Sequence, residues 1–454
     1  MPKRVSGFLG SSWDAWLILL AAAAWAVVLG GLAIARNADL RSNAFDLGYV
    51  SQALWNTVHG RPFQFSTLIN APFKVEGLDP SAIRHPGWLF AFHIEPALIA
   101  IAPFYAAWPD PRLLLWLQAG GIALGALPAA ALARLVVGGR AAALVFGAAY
   151  LLAPALEGAA LSDFHMVALG APLLMLGLFL LERGNWRGGF ACVGLVALCR
   201  EDAALAVAWL ALLLALRPAI IPALAAVPRA AIVTLLAASA VWAALCFFVV
   251  APVFNGEGSV FWSRYAWLGA TPLQALGGVV HDPRPLLAWF GQPAVASYLA
   301  LQLLTAGILA LLAPAQLLAA LPLLAINGLS SFDWMRSGGG HYSALLVPLL
   351  VWAGVRGAGV AAAWLRRLKV PQAMPLTFGC VALATVAAQL WIGLPRSAGL
   401  RLEPQDARAA TVLEALSTVP ANVAVSASSG LYPHLSNRPL AYWFPGSAPG
   451  SWLA

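Results

Sequence analysis

Long apolar runs separated by short polar clusters dominate the chain, the pattern of helices that cross a bilayer, where about 20 apolar residues make one span. Seven runs have that character: Trp13 to Ala35, Leu113 to Ala133, Ala141 to Leu156, Val167 to Leu181, Ala230 to Val250, Ala344 to Trp364 and Met374 to Leu394. Two more stretches are too long for one upright helix and too short for two. Gly188 to Leu216 is interrupted by Arg200, Glu201 and Asp202, and Ala294 to Leu329 contains Ala313-Pro314-Ala315. Proline disrupts a helix interior, and charge inside a span is costly, so each stretch reads as two short crossings. The expected fold is an all-α polytopic bundle of about eleven transmembrane helices over residues 1–394.

Two regions break the pattern. Residues 36–112 are rich in Pro, Gly, Trp and charge and read as a large first loop, with Ala97 to Trp108 as an amphipathic interfacial segment. Residues 395–454 read as a short α/β tail, with a helix over Gln405 to Thr418 and a strand over Asn422 to Ser426. No repeat of about 20 to 50 residues is evident.

Lys and Arg in short loops set orientation. Lys3 and Arg4 precede the first run, which exceeds the roughly 7 to 15 apolar residues of a signal peptide and reads as an uncleaved span. The turns holding Arg134 and Arg140, Arg183 and Arg187, Arg217 and Arg229, and Arg366, Arg367 and Lys369 then fall on the cytoplasmic side. The N-terminus is cytoplasmic in this threading; the first loop and tail are extracytoplasmic.

Composition agrees: 61% of residues are hydrophobic and 10% charged, against roughly 25% charge in a soluble domain, which excludes a soluble enzyme. The net charge of +8 follows from orientation and anionic headgroups, and no basic tract or zinc pattern suggests a nucleic acid partner. The four cysteines lie within apolar runs without CxxC spacing, so neither disulfides nor metal thiolates are expected. Of the 18 acids, all but Asp14 and Glu182 fall on the extracytoplasmic side.

Five polar clusters stand out on that side. Asp46, in Phe45-Asp46-Leu47-Gly48, is a carboxylate among apolar neighbours; the alternative is a cap for a helix over Tyr49 to Val58. His93 and Glu95, in His93-Ile94-Glu95-Pro96, have the alternative of a helix start with proline in its first turn. Asp163 and His165, in Ser162-Asp163-Phe164-His165, read as a site for a divalent cation or a phosphate, or as a capping Asp with an interfacial His. Arg200, Glu201 and Asp202 read as a polar turn lining a cavity or an internal ion pair. Arg336, His341 and Tyr342, with Asp333, lie in a Gly-rich loop. The threading, derived without these residues, puts all five clusters on one side and predicts their convergence on one cavity. No P-loop, nucleophile elbow, GxGxxG turn or HExxH supports another chemistry.

These motifs, with Gln52, Trp55, Val425-Ser426-Ala427 and Tyr432-Pro433-His434-Leu435, resemble the bacterial membrane proteins called domain of unknown function 2079, over about Phe45 to Pro445; Met166 stands where the family pattern has proline. That family in turn resembles the GT-C class of integral membrane glycosyltransferases, which includes protein mannosyltransferases, aminoarabinose transferases and oligosaccharyltransferases. The resemblance implies a bacterial inner-membrane bundle with its site at the outer leaflet and polyprenyl-phosphate sugars as donors. By position Asp46 matches the acid of the first external loop, the general base or cation ligand, and Asp163 the acid of the second.

The expectation is therefore a transferase that moves a sugar from a polyprenyl-phosphate donor in the membrane to an extracytoplasmic acceptor. Asp46 is its base, Asp163 and His165 hold Mg or Mn, Arg200 contacts the phosphate with Glu201 and Asp202 orienting it, and His93, Glu95, Arg336, His341 and Tyr342 contact substrate. A lipid or solute transporter and a non-catalytic scaffold are the alternatives; transport predicts ionisable groups at the inner ends of the spans as well.

Overall fold

The computed structural model describes residues 13–72, 74, 79–256, 259–305, 307–393, 407–447 and 452–453. Lys3, Arg4 and the start of the tail at 395–406 lie outside the described residues. The protein is a mostly helical, polytopic membrane protein. Helix α1 (Trp13–Ala38) shows why: Ile18, Ala22, Trp25, Leu29 and Leu32, spaced by three or four, are buried, while Leu17, Leu20, Val27 and Val28 are exposed. An apolar face turned outward along a whole helix suits lipid, not water.

After α1 and α2 (Tyr49–Val58) the bundle consists of α3 (Pro111–Val136), α4 (Gly139–Leu151), α5 (Pro154–Leu161), α6 (Met166–Glu182), α7 (Trp186–Val196), α8 (Glu201–Leu216), α9 (Arg229–Asn255), α10 (Pro293–Leu304), α11 (Pro314–Gly328), α12 (Leu346–Arg367) and α13 (Ala373–Ile392). Among the described residues five helices are long and apolar enough to cross a membrane, or six if α4 and α5, bent by 44°, form one broken span. The bend fits Pro154, the first residue of α5.

Both ambiguous stretches are broken. Between α7 and α8 the chain is extended at Arg200 (φ −172°, ψ 159°). Between α10 and α11 the break falls at Gly307 and Ile308, both left-handed, a few residues before the proline that pointed to it. The following turn, Leu309–Leu312, packs on α12 at Gly357, where a Cβ would lie 1.8 Å from the Leu309 carbonyl oxygen, so only glycine fits.

The two acids expected on the cytoplasmic side are both paired. Asp14, fully buried at the start of α1, accepts from Arg134 Nη1 at 2.8 Å near the end of α3. Glu182, at the end of α6, binds Arg356 and accepts from Trp352 Nε1 at 2.7 Å. These partners place the start of α1 beside the Arg134 turn, as the charge pattern requires.

The tail folds as a helix, α14 (Ala407–Ser417), and a parallel sheet ordered β2-β1-β3, with β1 Val425–Ala427, β2 Ala441–Trp443 and β3 Trp452–Leu453. It docks on the first loop. Tyr432 is fully buried, its hydroxyl 2.7 Å from Gln52 Oε1 and from Thr67 Oγ1.

Candidate active site

The chain leaves α1 and enters a tight turn, Ala44–Gly48, that feeds α2. Asn43 organises the turn: its Oδ1 accepts from the Asp46 backbone N–H and its Nδ2 donates to Asp46 Oδ2, both at 2.7 Å. Its own N–H donates to Asp163 Oδ2 at 2.7 Å. One asparagine thus ties together acids 117 positions apart in sequence, on two different loops. Gly48 closes the turn, since a Cβ there would meet the Tyr432 ring at 2.5 Å.

Capping, the alternative for three of the clusters, is not what these side chains do. The N-cap of α2 is Gly48, not Asp46. His165 occupies the N-cap of α6 but its side chain makes no cap bond, and Asp163 instead accepts from Asn43. Glu95 precedes the 3₁₀ turn Pro96–Ala100, with proline first as expected, but its carboxyl makes no cap bond.

His165 is the hub. Its Nδ1–H donates to the Asp163 carbonyl oxygen at 2.7 Å, and its Nε2 lies 3.2 Å from Asp46 Oδ1. With Nδ1–H committed, the second contact requires one more proton shared between His165 and Asp46. Gln118, fully buried in α3, fixes this backbone by accepting from the His165 N–H and donating to the Ala159 carbonyl, each at 2.7 Å. His341 stacks on His165 with centroids 3.4 Å apart, and Tyr342 lies 4.1 Å from His341.

Burial raises the Asp46 carboxyl, but attraction to His165 and hydrogen bonds with His165 and Asn43 outweigh it and hold the group below its ordinary value. Burial lifts Asp163 to about 6, helped by the negative charge of Asp46 and opposed by the Asn43 bond. Burial also drives His341 well below its ordinary value, and the charge of the stacked His165 adds to this. Two parallel rings at this spacing do not both carry charge.

Asp46, His93, His165, His341 and Tyr342 line one cavity of about 60 Å³, room for about two waters. The convergence expected from the sequence is present for these five. Arg264, Tyr49, Ser162, Phe261 and Trp334 complete the lining. Arg264 sits between Phe261 and Phe332, its guanidinium carbon 4.5 Å from each ring centroid.

The other candidates lie around this cavity, not on it. Glu201 binds His93 Nδ1 and the Ile94 N–H, both at 3.0 Å. Arg200 is 5% exposed and forms a two-pronged pair with Asp202, at 2.7 and 2.5 Å. Glu95 is 2% exposed; burial lifts its carboxyl to about 8, Arg200 pulls against this, and Glu201 and Asp202 add to it. Arg336 pairs with Asp333, donates to the Ser330 carbonyl and lies over Trp289, holding its own loop.

Among the described residues no three His, Cys, Asp or Glu side chains form a group that could hold a metal ion. Both His165 nitrogens are engaged, and Asp163 points toward Asn43. Asp163 and His165, the residues expected to hold Mg or Mn, are thus engaged within the protein.

Sequence reading missed Asn43, Arg264 and Trp334. Arg264 carried no signal of its own, because Arg284 shares the 251–285 loop and Arg41, Arg61 and Arg84 lie in the other large loop on that side.

Residues 36–450 match the family described as predicted membrane protein (DUF2079). No curated protein matches the chain. Among solved structures it aligns with ArnT from Cupriavidus metallidurans bound to undecaprenyl phosphate at 15% identity and TM-score 0.48, covering 96% of this chain and 87% of that one. The Archaeoglobus fulgidus oligosaccharyltransferase AglB, in complex with an inhibitory peptide and a dolichol-phosphate, aligns at 12% identity and TM-score 0.44, covering 96% of this chain and 65% of that one.

Proposed function

This chain belongs to the DUF2079 family of predicted membrane proteins, and from that premise we propose that it is an integral membrane glycosyltransferase with a polyprenyl-phosphate sugar as donor. The observation that carries the reading is the pairing of two features. A small polar cavity holds Asp46, His165, His93 and Arg264, and beside it runs a large apolar groove of about 960 Å³. Ile101 and Phe104 of the first loop, Gly120, Gly121 and Leu124 of α3, and Met166, Leu169 and Leu173 of α6 line the groove. Met166, the residue after His165, lines the groove at the start of α6, and Arg183 lines it just past the end of that helix. The polar side chains supply charge and hydrogen bonds for a phosphate, and the groove supplies space for a hydrocarbon tail. Met166 is the first residue of α6, a position that also accepts the family's proline.

In this reading the acceptor hydroxyl attacks the anomeric carbon. The new C–O bond forms as the bond from that carbon to the phosphate oxygen breaks, and the hydroxyl proton passes to the Asp46 carboxylate. A carboxyl held below its ordinary value is ionised at neutral pH and ready to accept it. Arg264 supplies positive charge toward the departing phosphate. His165 orients Asp46, and Asn43 fixes the second oxygen of the carboxylate. The eleven-span threading, with an extracytoplasmic cavity in a bacterial inner membrane, belongs to the same proposal and counts the shorter apolar helices as crossings.

Threading is checked by single cysteines at Ser337, Ser417 and Lys369, all exposed, in a background lacking the four native cysteines. An impermeant thiol reagent on intact cells should label positions 337 and 417 and spare 369; the reverse pattern would invert the topology.

The groove has its own test. A Cβ at Gly120 meets nothing within 4 Å, so the backbone accepts a side chain there, and Gly120→Phe places a ring in the groove that Gly120 lines. It should raise KM for the lipid donor about tenfold, equivalent to about 1.4 kcal/mol of binding, with kcat within about twofold of wild type. An unchanged KM would remove the groove from the donor site. The activity itself is read as polyprenyl phosphate released from labelled donors; no release from any of them would favour the transporter.

A further inference from the structure

A second imidazole–carboxylate pair faces the cavity. His93 Nδ1 lies 3.0 Å from Glu201 Oε1, and the other Glu201 oxygen accepts the Ile94 N–H at 3.0 Å. Phe261 stacks on the His93 ring at 4.6 Å and 14°. The ring is therefore held by one nitrogen and one face, and among the described residues its Nε2 makes no hydrogen bond. Nε2 is the polar atom left for a ligand in the cavity that His93 lines.

The geometry points to His93 as the proton donor to the departing phosphate, with Glu201 as the residue that positions it. This rests on the glycosyl-transfer reading. As the bond from sugar carbon to phosphate oxygen breaks, its electron pair goes to that oxygen, which takes the Nε2 proton. The products are the glycosylated acceptor, polyprenyl phosphate as a monoanion, a protonated Asp46 and a neutral His93; water returns the proton to His93 and removes that of Asp46. Glu201 fixes Nδ1–H and sets a negative charge beside the ring. Other groups facing this corner are Asp46 and Tyr49 of the first loop, His165 ahead of α6, Arg200 beside Glu201, and Arg264, His341 and Tyr342 from the later loops. Asp46 and His165 already share a proton with each other, and His341 is held neutral, which leaves His93 as the cavity imidazole with a proton to give.

Three variants of the full-length protein decide the matter, with polyprenyl phosphate release as readout and melting temperature as the folding control. His93→Gln should lower kcat by about a hundredfold or more, with donor KM within about threefold. In His93→Ala, added imidazole should restore part of the rate. Glu201→Gln can still accept from Ile94 but presents an N–H to Nδ1; it should be slowed, with its alkaline loss of rate beginning at lower pH than in wild type. A His93→Gln rate within threefold of wild type would overturn the proposal. So would a slowed enzyme with no imidazole rescue and an unchanged pH profile in Glu201→Gln. A wild type that releases nothing from any donor defeats the transfer reading itself, whereas an active wild type with indifferent variants defeats this assignment alone.

Discussion

Asp46→Asn is expected to slow polyprenyl phosphate release by about a hundredfold or more, the usual size of a lost general base, with a melting temperature within a few degrees of wild type. Asparagine keeps the shape of the side chain and one acceptor for Asn43 Nδ2, and it removes the charge that His165 faces. The side chain is 28% exposed toward the cavity, so no large apolar contact is lost. Helix capping is excluded as the source of any effect, because Gly48 occupies the cap of α2. Wild-type turnover in this variant would mean that the carboxylate does no chemistry.

Arg200→Met is expected to behave in the opposite way, costing stability and sparing donor binding. Its side chain is 6% exposed and its Nε and Nη2 both donate to Asp202, whose side chain is 17% exposed. Removing one partner of a buried pair leaves the other charge uncompensated, at a cost of about 3 to 5 kcal/mol. Thermal unfolding in detergent should register that loss. The double variant Arg200→Met with Asp202→Leu should recover most of it, since contacting residues couple strongly. A stable Arg200→Met protein with weakened donor affinity would return the phosphate role to Arg200.

How far the sequence reached depends on the kind of statement. Breaks between helices were legible, because a charge triplet at Arg200 and a proline at Pro314 each make a continuous span costly, although Pro172 sits inside α6 without a break. The gathering of Asp46, His93, His165, His341 and Tyr342 was legible through topology alone, since loops on one end of a bundle are neighbours whatever their separation in sequence. The choice of partner within a motif was not. Arg200, Glu201 and Asp202 are consecutive, yet an extended residue followed by the first turn of α8 sends Glu201 to His93 while Arg200 folds back on Asp202. Asn43 gave no signal, because its role lies in a turn geometry that its residue type does not encode. Arg264 was one of several arginines in the loops on that side, and its place between two phenylalanines required the fold.

The same geometry assigns unlike environments to acids that look equivalent in the sequence. Asp46 is held low by His165 after burial is overcome, Asp163 rises to about 6, and Glu95 rises to about 8 with burial as the leading cause. At neutral pH Asp46 therefore carries charge while Glu95 holds a proton. Among the three, Asp46 is the one that both lines the cavity and is ionised, the combination a proton acceptor needs.

The most direct measurement is an experimental structure of Asp46→Asn in a lipid nanodisc with an uncleaved polyprenyl-phosphate sugar. The account predicts the phosphate within hydrogen-bond distance of Arg264 and His93, the sugar beside residue 46, and the hydrocarbon chain along the groove from Met166 toward Arg183. A donor bound with its phosphate at the Arg183 end, or anywhere that leaves the Asp46 cavity empty, would contradict it.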